Sequence, residues 1–141
     1  MIILDTNVVS EAMRPAPSTK VMEWLANQPV SDLCTTAVNE AEVFSGIARM
    51  PVGRRRREFQ ERAELMFREY FDRGVLAFDS ESARQYAVVF AIRFGRGHPI
   101  EHPDAQIVAI ARLHNATLAT RNLRDFEDCG VHLVNPWEPT T

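Results

Sequence analysis

Short apolar runs alternate along this chain with longer stretches in which apolar residues recur every three or four positions. The runs at residues 2–4, 32–35, 75–78, 116–119 and 131–134 predict strands. The stretches between them have the spacing of helices that bury one face. This alternation is typical of an α/β fold, so we expect a central parallel sheet of about five strands flanked by helices.

The first three helices follow from apolar spacing and from the residues that interrupt it. A short helix is expected after Asp5 and a second over residues 21–26. Pro15 and Pro17 break helical continuity between them, which predicts a helical hairpin. A third helix is expected over residues 38–49 and carries Glu42 near its start.

The segment 54–72 predicts an exposed amphipathic helix with a single apolar stripe. It begins with four consecutive arginines, residues 54–57, at the helix end where positive charge is least favoured. Such a run is either a solvated helix face or a surface that holds phosphates. The mismatch with the helix dipole is a reason to consider a polyanionic partner.

The next helix, which Asp79 is expected to cap, is apolar on most of its sides. One stripe consists of Ala83, Tyr86, Ala87, Phe90, Ala91 and Phe94, and it is widened by Val88, Val89 and Ile92. A helix with so much apolar surface predicts burial in a subunit interface. The segment Gly95-Arg96-Gly97 is typical of a helix end.

Length and composition are those of one globular domain, which we expect to span residues 1–141. Hydrophobic residues make up 45% of the chain and charged residues 25%, which argues against disorder. The net charge is −3, with 16 basic against 19 acidic side chains. This balance excludes a uniformly basic nucleic-acid coat but permits a local basic patch.

The protein is expected to be cytoplasmic, because the sequence has neither a cleavable apolar leader nor a segment of transmembrane length. No membrane partner is expected either. Cys34 and Cys129 are accordingly expected to be reduced thiols rather than a disulfide.

Acidic residues stand just after predicted strands, or one helix beyond them, at four distant places: Asp5, Glu42, Asp104 and Asp125. The carboxyl ends of parallel strands meet at one edge of a sheet, and ligands bind there in open α/β folds. Four carboxylates gathered at that edge repel one another unless something positive is bound. Mg²⁺ or Mn²⁺ suits the set, because these cations accept oxygen ligands and retain exchangeable waters.

Each carboxylate also has an ordinary structural interpretation. Asp5 could cap the helix that follows it, and Glu42 could be an exposed helical glutamate. Asp104 follows Pro103 in an expected first helical turn, where the helix dipole stabilises a negative charge. Asp125 could be a turn residue that accepts hydrogen bonds from nearby amides.

At these residues the sequence resembles the PIN-domain ribonucleases, in particular the VapC-type toxins of bacterial toxin–antitoxin pairs and their FitB-like relatives. The resemblance runs essentially end to end. It is carried, in order, by Ile3-Leu4-Asp5-Thr6-Asn7, Ala41-Glu42-Val43-Phe44-Ser45-Gly46, Pro103-Asp104-Ala105-Gln106-Ile107-Val108-Ala109, and Thr120-Arg121-Asn122 through Asp125-Phe126.

The resemblance implies a single PIN domain and a metal-dependent endoribonuclease in which Asp5, Glu42 and Asp104 hold Mg²⁺ or Mn²⁺. Water activated by the metal would attack an RNA phosphodiester. The resemblance also implies a homodimer and a small DNA-binding antitoxin. The tail of that antitoxin would occupy the acidic pocket, often with an arginine.

One departure from the family pattern concerns the fourth acidic position. Many members have aspartate where this chain has Asn122, so Asp125 is either the fourth catalytic carboxylate or a structural residue. Polar residues expected to contact substrate or metal-bound water are Thr6, Asn7, Thr120, Arg121 and Asn122.

Three other functions fit less well. Zinc binding by His98 and His102 lacks an evident third ligand. A receiver-type signalling domain resembles a switch with a central acceptor aspartate and a late lysine, and this chain has no lysine beyond Lys20. A PIN-like scaffold or RNA-binding module that has lost catalysis is compatible with Asn122.

Overall fold

Five parallel strands form the sheet at the centre of the computed structural model, which describes residues 1–71 and 73–139. The strands are β1 (Ile2–Leu4), β2 (Leu33–Thr36), β3 (Val75–Leu76), β4 (Thr117–Ala119) and β5 (Leu133–Val134). Their spatial order is β3-β2-β1-β4-β5. The predicted α/β class and the parallel sheet of about five strands are confirmed.

Seven helices flank the sheet in the described part of the chain. They are α1 (Thr6–Ala12), α2 (Thr19–Ala26), α3 (Ala37–Ala48), α4 (Arg54–Glu69), α5 (Ser80–Gly95), α6 (His102–Leu113) and α7 (Leu123–Phe126). The α1 and α2 helices contact each other as the predicted hairpin. Helix α4 ends three residues before the predicted boundary, and the last predicted residue, Asp72, lies outside the described residues.

The two edge strands are shorter than the apolar runs predict. Strand β3 stops at Leu76 instead of residue 78, and β5 begins at Leu133 instead of residue 131. Each edge strand pairs with one neighbour only, yet Phe78 and Val131 still pack against the core. The apolar pattern at the edges therefore reports burial rather than strand pairing.

Two hydrophobic clusters cover the two faces of the sheet. Successive residues of β1 point to opposite faces, so Ile3 enters the cluster that contains α5 and α6 residues, and Leu4 enters the cluster of α1 to α4. Both side chains are fully buried. Burial on both faces explains why β1 is a continuous apolar run.

The strand order places a crevice beside β1. From β1 the chain crosses to β2 on one side, while β4 pairs with β1 on the other side. Such a switch in strand order opens a crevice at the carboxyl ends of the strands. Asp5 follows β1 directly and Thr120 follows β4 directly, so both lie at this crevice.

The α5 helix begins and ends as predicted, but one face of it is uncovered in the single chain. The Ser82 amide donates to the Asp79 cap at 2.9 Å, and Gly97 terminates the segment with φ at 67°. Phe94 is 69% exposed, and Val88 and Phe90 are also exposed. Among the described residues, no helix combines the length and the apolarity needed to cross a membrane.

Candidate active site

Asp5 is a buried carboxylate that accepts hydrogen bonds on both oxygens. Its Oδ1 accepts from the Thr6 amide at 2.9 Å and from Asn39 Nδ2 at 3.0 Å, and its Oδ2 accepts from Thr120 Oγ1 at 2.7 Å. Burial raises the pKa of Asp5 above its ordinary value, although these hydrogen bonds oppose the shift. Asp5 is thus the cap of α1 and a member of the site at once.

A chain of side-chain hydrogen bonds connects Asp5 to Glu42 on α3. Asn39 Nδ2 also donates to Thr6 Oγ1 at 3.0 Å, and the Thr6 hydroxyl donates to Glu42 Oε1 at 2.7 Å. Asn39 and Glu42 are three residues apart, so they share one face of the helix. The exposed Glu42 carboxylate is therefore held towards the end of β1.

Asp104 lies in the first turn of α6, as predicted, and is half-buried. Burial raises the pKa of this carboxyl to about 7, with further contributions from the negative charges of Asp5, Asp125, Glu42 and Glu101. The structure therefore places the other three predicted carboxylates near enough to act on Asp104 electrostatically.

Asp125 and Asn122 occupy different places in this neighbourhood. Asp125 is exposed on the short helix α7, and Asn122 immediately precedes that helix. The Asp125 amide donates to the Asn122 carbonyl at 3.1 Å, which is the turn expected of a structural residue. The charge of its side chain nevertheless raises the pKa of Asp104, and this contribution is larger than the one from the Glu42 charge. Asp125 combines the two interpretations left open by the sequence.

The polar residues around the carboxylates differ in their access to solvent. Thr120 is fully buried, and its hydroxyl accepts from the Asn122 amide at 3.1 Å. Asn7 accepts from the Arg121 amide at 3.2 Å. Thr6 and Asn7 are partly exposed, whereas Arg121 and Asn122 are exposed. Thr120 therefore holds Asp5 in place, and the other four line the accessible part of the site.

The donor chemistry of this site fits a hard divalent cation. Carboxylate, hydroxyl and amide oxygens are the ligands that Mg²⁺ and Mn²⁺ prefer. A half-buried carboxylate among like charges, as at Asp104, is the arrangement that a cation relieves. Within residues 1–71 and 73–139, however, no three histidine, cysteine or acidic side chains form a ready-made coordination shell. A cation would therefore bind only after some movement of these side chains.

Sequence reasoning missed two residues of this neighbourhood, Asn39 and Glu101. Asn39 had a detectable signal, because Thr36 and Asn39 have the three-residue spacing of a reciprocal capping pair. Glu101 immediately precedes α6 and acts on Asp104 through its charge. Nothing in the local sequence distinguishes Glu101 from any exposed acid near a helix start.

Arg93 is a third residue that the sequence pattern concealed, because it lies inside the apolar helix α5. It is 2% exposed, and its guanidinium donates to the backbone oxygens of His98 at 2.8 Å, Asp125 at 3.0 Å and Glu127 at 3.1 Å. None of the described carboxylates forms an ion pair with it. Arg93 thus ties the loop before α6 to the segment that carries Asp125.

The histidines and cysteines have other contacts. The His102 ring stacks on Tyr86 with centroids 6.1 Å apart, and its Nδ1 hydrogen-bonds the Tyr86 hydroxyl. Cys34 and Cys129 are buried free thiols. Burial raises the pKa of the Cys34 thiol to about 11, which disfavours the thiolate needed by a nucleophile.

This parallel sheet with an acidic crevice at its switch point is the PIN-domain fold, and the chain belongs to the PIN-domain family, whose profile matches residues 2–130. The family resemblance expected from the four sequence fragments is confirmed. Membership in this family argues against the receiver-type signalling domain.

Individual relatives resemble this chain along nearly its whole length. Plasmid stability protein StbB of Pseudomonas syringae pv. tomato is 39% identical over 98% of this chain and 99% of its own length. VapC ribonuclease Y4jK of Sinorhizobium fredii is 39% identical over 99% of each chain. Toxin FitB of Neisseria gonorrhoeae is 35% identical over 97% of this chain and 99% of its own length.

A solved structure gives the same picture in three dimensions. The structure of FitAB bound to a DNA fragment contains a chain that superposes with a TM-score of 0.92 at 34% identity. The superposition covers 100% of the present chain and 99% of the other.

Proposed function

We propose that this protein is a metal-dependent endoribonuclease that acts as the toxin of a toxin–antitoxin pair. It shares a family with relatives named VapC ribonuclease and toxin FitB, over nearly their full lengths. The observation that carries the proposal is the position of Asp104, half-buried among the carboxylates of Asp5, Glu42 and Asp125. Such a cluster at the sheet edge favours a cation and, through it, a phosphodiester substrate.

Asp5, Glu42 and Asp104 are the residues that would hold Mg²⁺ or Mn²⁺. When bound, such a cation supplies an activated water and stabilises negative charge on the phosphate oxygens. Asp104, with its pKa at about 7, is only partly ionised at neutral pH in the metal-free protein. Metal affinity should therefore rise with pH, because the ligand must lose its proton.

The surrounding polar residues orient these carboxylates. Thr120 and Asn39 fix the two oxygens of Asp5, and Thr6 fixes one oxygen of Glu42. All three are neutral, so they restrict orientation without cancelling the negative charge that attracts a cation. Such orienting contacts are worth about 10- to 100-fold in metal affinity or activity.

Asn7, Arg121 and Asn122 are the proposed substrate contacts beside the acidic crevice. The Arg121 guanidinium lies over the Trp137 ring, 4.8 Å from its centroid. A guanidinium held over an aromatic ring can keep its N–H groups available for bidentate contact with phosphate. Asp125 is exposed and close enough to act on Asp104. It is the proposed fourth carboxylate, the role that Asn122 cannot take.

A small DNA-binding antitoxin is the proposed partner, and its tail would occupy the acidic crevice. Two solved relatives are described as FitAB bound to a DNA fragment and as FitAcB from Neisseria gonorrhoeae, the second with a TM-score of 0.90 at 35% identity. An arginine from such a tail would neutralise the crowded carboxylates much as a cation does.

A homodimer is proposed through the exposed face of α5. Phe90 and Phe94 stack on each other with centroids 6.3 Å apart, and both remain exposed in the single chain. A continuous apolar face of this kind is typical of a subunit interface.

The proposal is tested with purified protein freed of any antitoxin and incubated with structured and total RNA. The reactions compare added Mg²⁺, added Mn²⁺, a chelator and the Asp104→Asn variant. The matched control is Asp128→Asn, which removes the same charge from an exposed residue whose ion pair among the described residues is with exposed Arg96. Cleavage that requires the metal and Asp104, but not Asp128, supports the ribonuclease.

A folded protein that binds RNA but never cuts it under these conditions would contradict the enzymatic proposal. That result would favour a PIN-like scaffold, the function compatible with the loss of an acidic side chain at Asn122. Tight RNA binding with no effect of either metal is the signature that separates the two functions.

A further inference from the structure

Four consecutive arginines begin α4, outside the proposed active site. Residues 49–62 contain six arginines and two glutamates, so this segment contributes +4 to a chain whose net charge is −3. Arg54, Arg55 and Arg57 are exposed, and Arg56 is partly exposed. The basic character is therefore concentrated at one place on an otherwise acidic molecule.

Little in the described part of the chain neutralises this charge. Arg54 pairs with Glu58 at 3.1 Å, but no recorded ion pair among residues 1–71 and 73–139 involves Arg55, Arg56 or Arg57. The first turn of α4 has no acidic residue, and its cap, Gly53, provides no side-chain acceptor. The guanidinium groups and the helix dipole thus make this end of α4 positive on two sides, since Arg54 and Arg55 line one cavity and Arg56 and Arg57 line another.

An aromatic ring is held within this charge. The Arg55 and Arg62 guanidiniums lie 5.7 Å and 5.8 Å from the centroid of Phe59. Arg62 is anchored by a hydrogen bond of 3.1 Å to the Met13 carbonyl oxygen. These side chains, with Pro15, Arg54 and Glu58, line an open cavity of about 540 Å³. The volume lies in the range of sites that hold small molecules of nucleotide size.

We infer that this arginine cluster, residues 54–57 with Phe59 and Arg62, binds the backbone of the RNA substrate outside the acidic crevice. Phosphates match the guanidiniums, and a base can stack on the exposed Arg55 guanidinium that lies over the Phe59 ring. An acidic polypeptide would pair with the charges but offers no base to stack on that guanidinium. The combination of ring and guanidiniums therefore favours single-stranded RNA.

The cluster also supplies something the acidic crevice lacks. The carboxylates repel a polyanion until a cation is bound, so initial attraction has to come from elsewhere on the surface. Glu42 and the cluster belong to the consecutive helices α3 and α4, which pack against each other. Glu42 lies about 9 Å along the helix axis from the end of α3, since each residue rises about 1.5 Å. An RNA strand long enough to span these two helices can contact both places. This inference rests on the proposed ribonuclease function.

The experiment measures binding of a labelled single-stranded RNA in chelator, where no cleavage occurs, as a function of salt. The test variant is Arg55→Gln with Arg57→Gln, and the control is Arg68→Gln with Arg84→Gln, which also removes two exposed arginines. We expect the test variant to bind about tenfold more weakly and its log–log salt slope to fall by about 1.4, because each lost phosphate contact contributes about 0.7. The control should match the unmodified protein.

Cleavage of a long RNA and of a dinucleotide then separates this surface from the acidic site. The test variant should show a raised KM for the long RNA and unchanged turnover of the dinucleotide, which is too short to reach the cluster. Equal RNA affinity in test and control variants would overturn the inference, even if cleavage is normal. Displacement of RNA by polyglutamate as effectively as by unlabelled RNA would also overturn it and point to an acidic protein partner. If the test variant binds RNA more weakly but neither protein cleaves RNA, the RNA-binding surface is supported and only the nuclease proposal is contradicted.

Discussion

The acidic crevice and the surroundings of Arg93 treat buried charge in opposite ways. Around Asp104, the side-chain charges that shift its pKa most are all negative, from Asp5, Asp125, Glu42 and Glu101. Around Arg93, a guanidinium lies almost fully buried with three backbone carbonyls and the Cys129 sulfur as its described acceptors. Both regions lie beside the segment of Asp125. They differ in how the surrounding groups are arranged, not in their place in the fold.

The difference separates a charge that completes the fold from charges that await a ligand. Arg93 is satisfied by hydrogen bonds within the protein, so nothing needs to bind there. Asp104 is satisfied least when it is ionised, because burial and like charges raise its pKa to about 7. We therefore assign structure to the first region and chemistry to the second.

The largest expected effect concerns Asp104. Asp104→Asn should lower RNA cleavage by on the order of 10³-fold, since metal-ion catalysis supplies several kcal/mol. The fold should persist, because removing one of several like charges relieves repulsion. Cleavage rates and Tm measured on the same preparation decide this. An inactive variant that is also largely unfolded would assign Asp104 to structure instead.

Arg93→Met should lower the free energy of unfolding by about 3 kcal/mol, because it leaves buried carbonyl oxygens without donors. The matched control is Arg96→Met on the same segment, where the side chain is exposed and an effect within about 0.5 kcal/mol is expected. Urea unfolding of both variants provides the measurement. Equal stability of the two variants would show that the buried hydrogen bonds of Arg93 do not stabilise the fold.

Asp125→Asn should lower cleavage by about tenfold, comparable to the loss of a contact that orients a metal ligand. Asn122→Asp should change cleavage by less than about threefold, because Asp125 already provides the nearby charge that acts on Asp104. Single-turnover rates at saturating Mg²⁺ make the comparison. A large gain from Asn122→Asp with no loss from Asp125→Asn would reverse the assignment of the fourth carboxylate.

The smallest expected effect is on stability against pH in metal-free protein. Asp104 has a folded pKa of about 7, raised above its ordinary 3.8, so its contribution is fully present below the unfolded pKa and is lost as pH rises through 7. After allowance for solvent screening of this half-exposed group, the loss is about 1 kcal/mol, or about 3 °C in Tm. Asp104→Asn should therefore have a higher Tm than the unmodified protein at pH 8 and the same Tm at pH 4. Parallel pH profiles of the two proteins would contradict the raised pKa.

The sequence predicted the parts of the fold that depend on periodic burial. Strand β1 and the stripe of α4 are read from apolar spacing alone, because burial on a fixed face imposes that spacing. The stripe predicted for α5 instead lies mostly exposed in the single chain, and Val89 is its one fully buried member. The apolar runs predict edge strands that are too long, since apolar residues such as Phe78 are partly buried there without pairing. No helix is predicted at α7, because four residues are too few to show a helical period.

The site was predictable as a set of acids but not as a network. Asp5, Glu42 and Asp104 are predictable because each lies just after a strand or within a helix or two of its end. The parallel topology then brings those strand ends to one edge of the sheet. Their hydrogen-bond partners depend on side-chain directions fixed only by packing, which is why Asn39 was missed. Arg93 was missed for the related reason that its acceptors are backbone groups, which carry no sequence signal.

The central claim is that the carboxylates around Asp104 bind a divalent cation that RNA cleavage requires. Mn²⁺ binding followed by its paramagnetic resonance tests it most directly, with the unmodified protein, Asp104→Asn and Asp128→Asn compared in the same buffer. We predict that the unmodified protein and Asp128→Asn bind Mn²⁺ alike and cleave RNA in proportion to its occupancy, whereas Asp104→Asn does neither. Equal Mn²⁺ affinity in all three proteins, or RNA cleavage that continues without bound metal, would contradict the account.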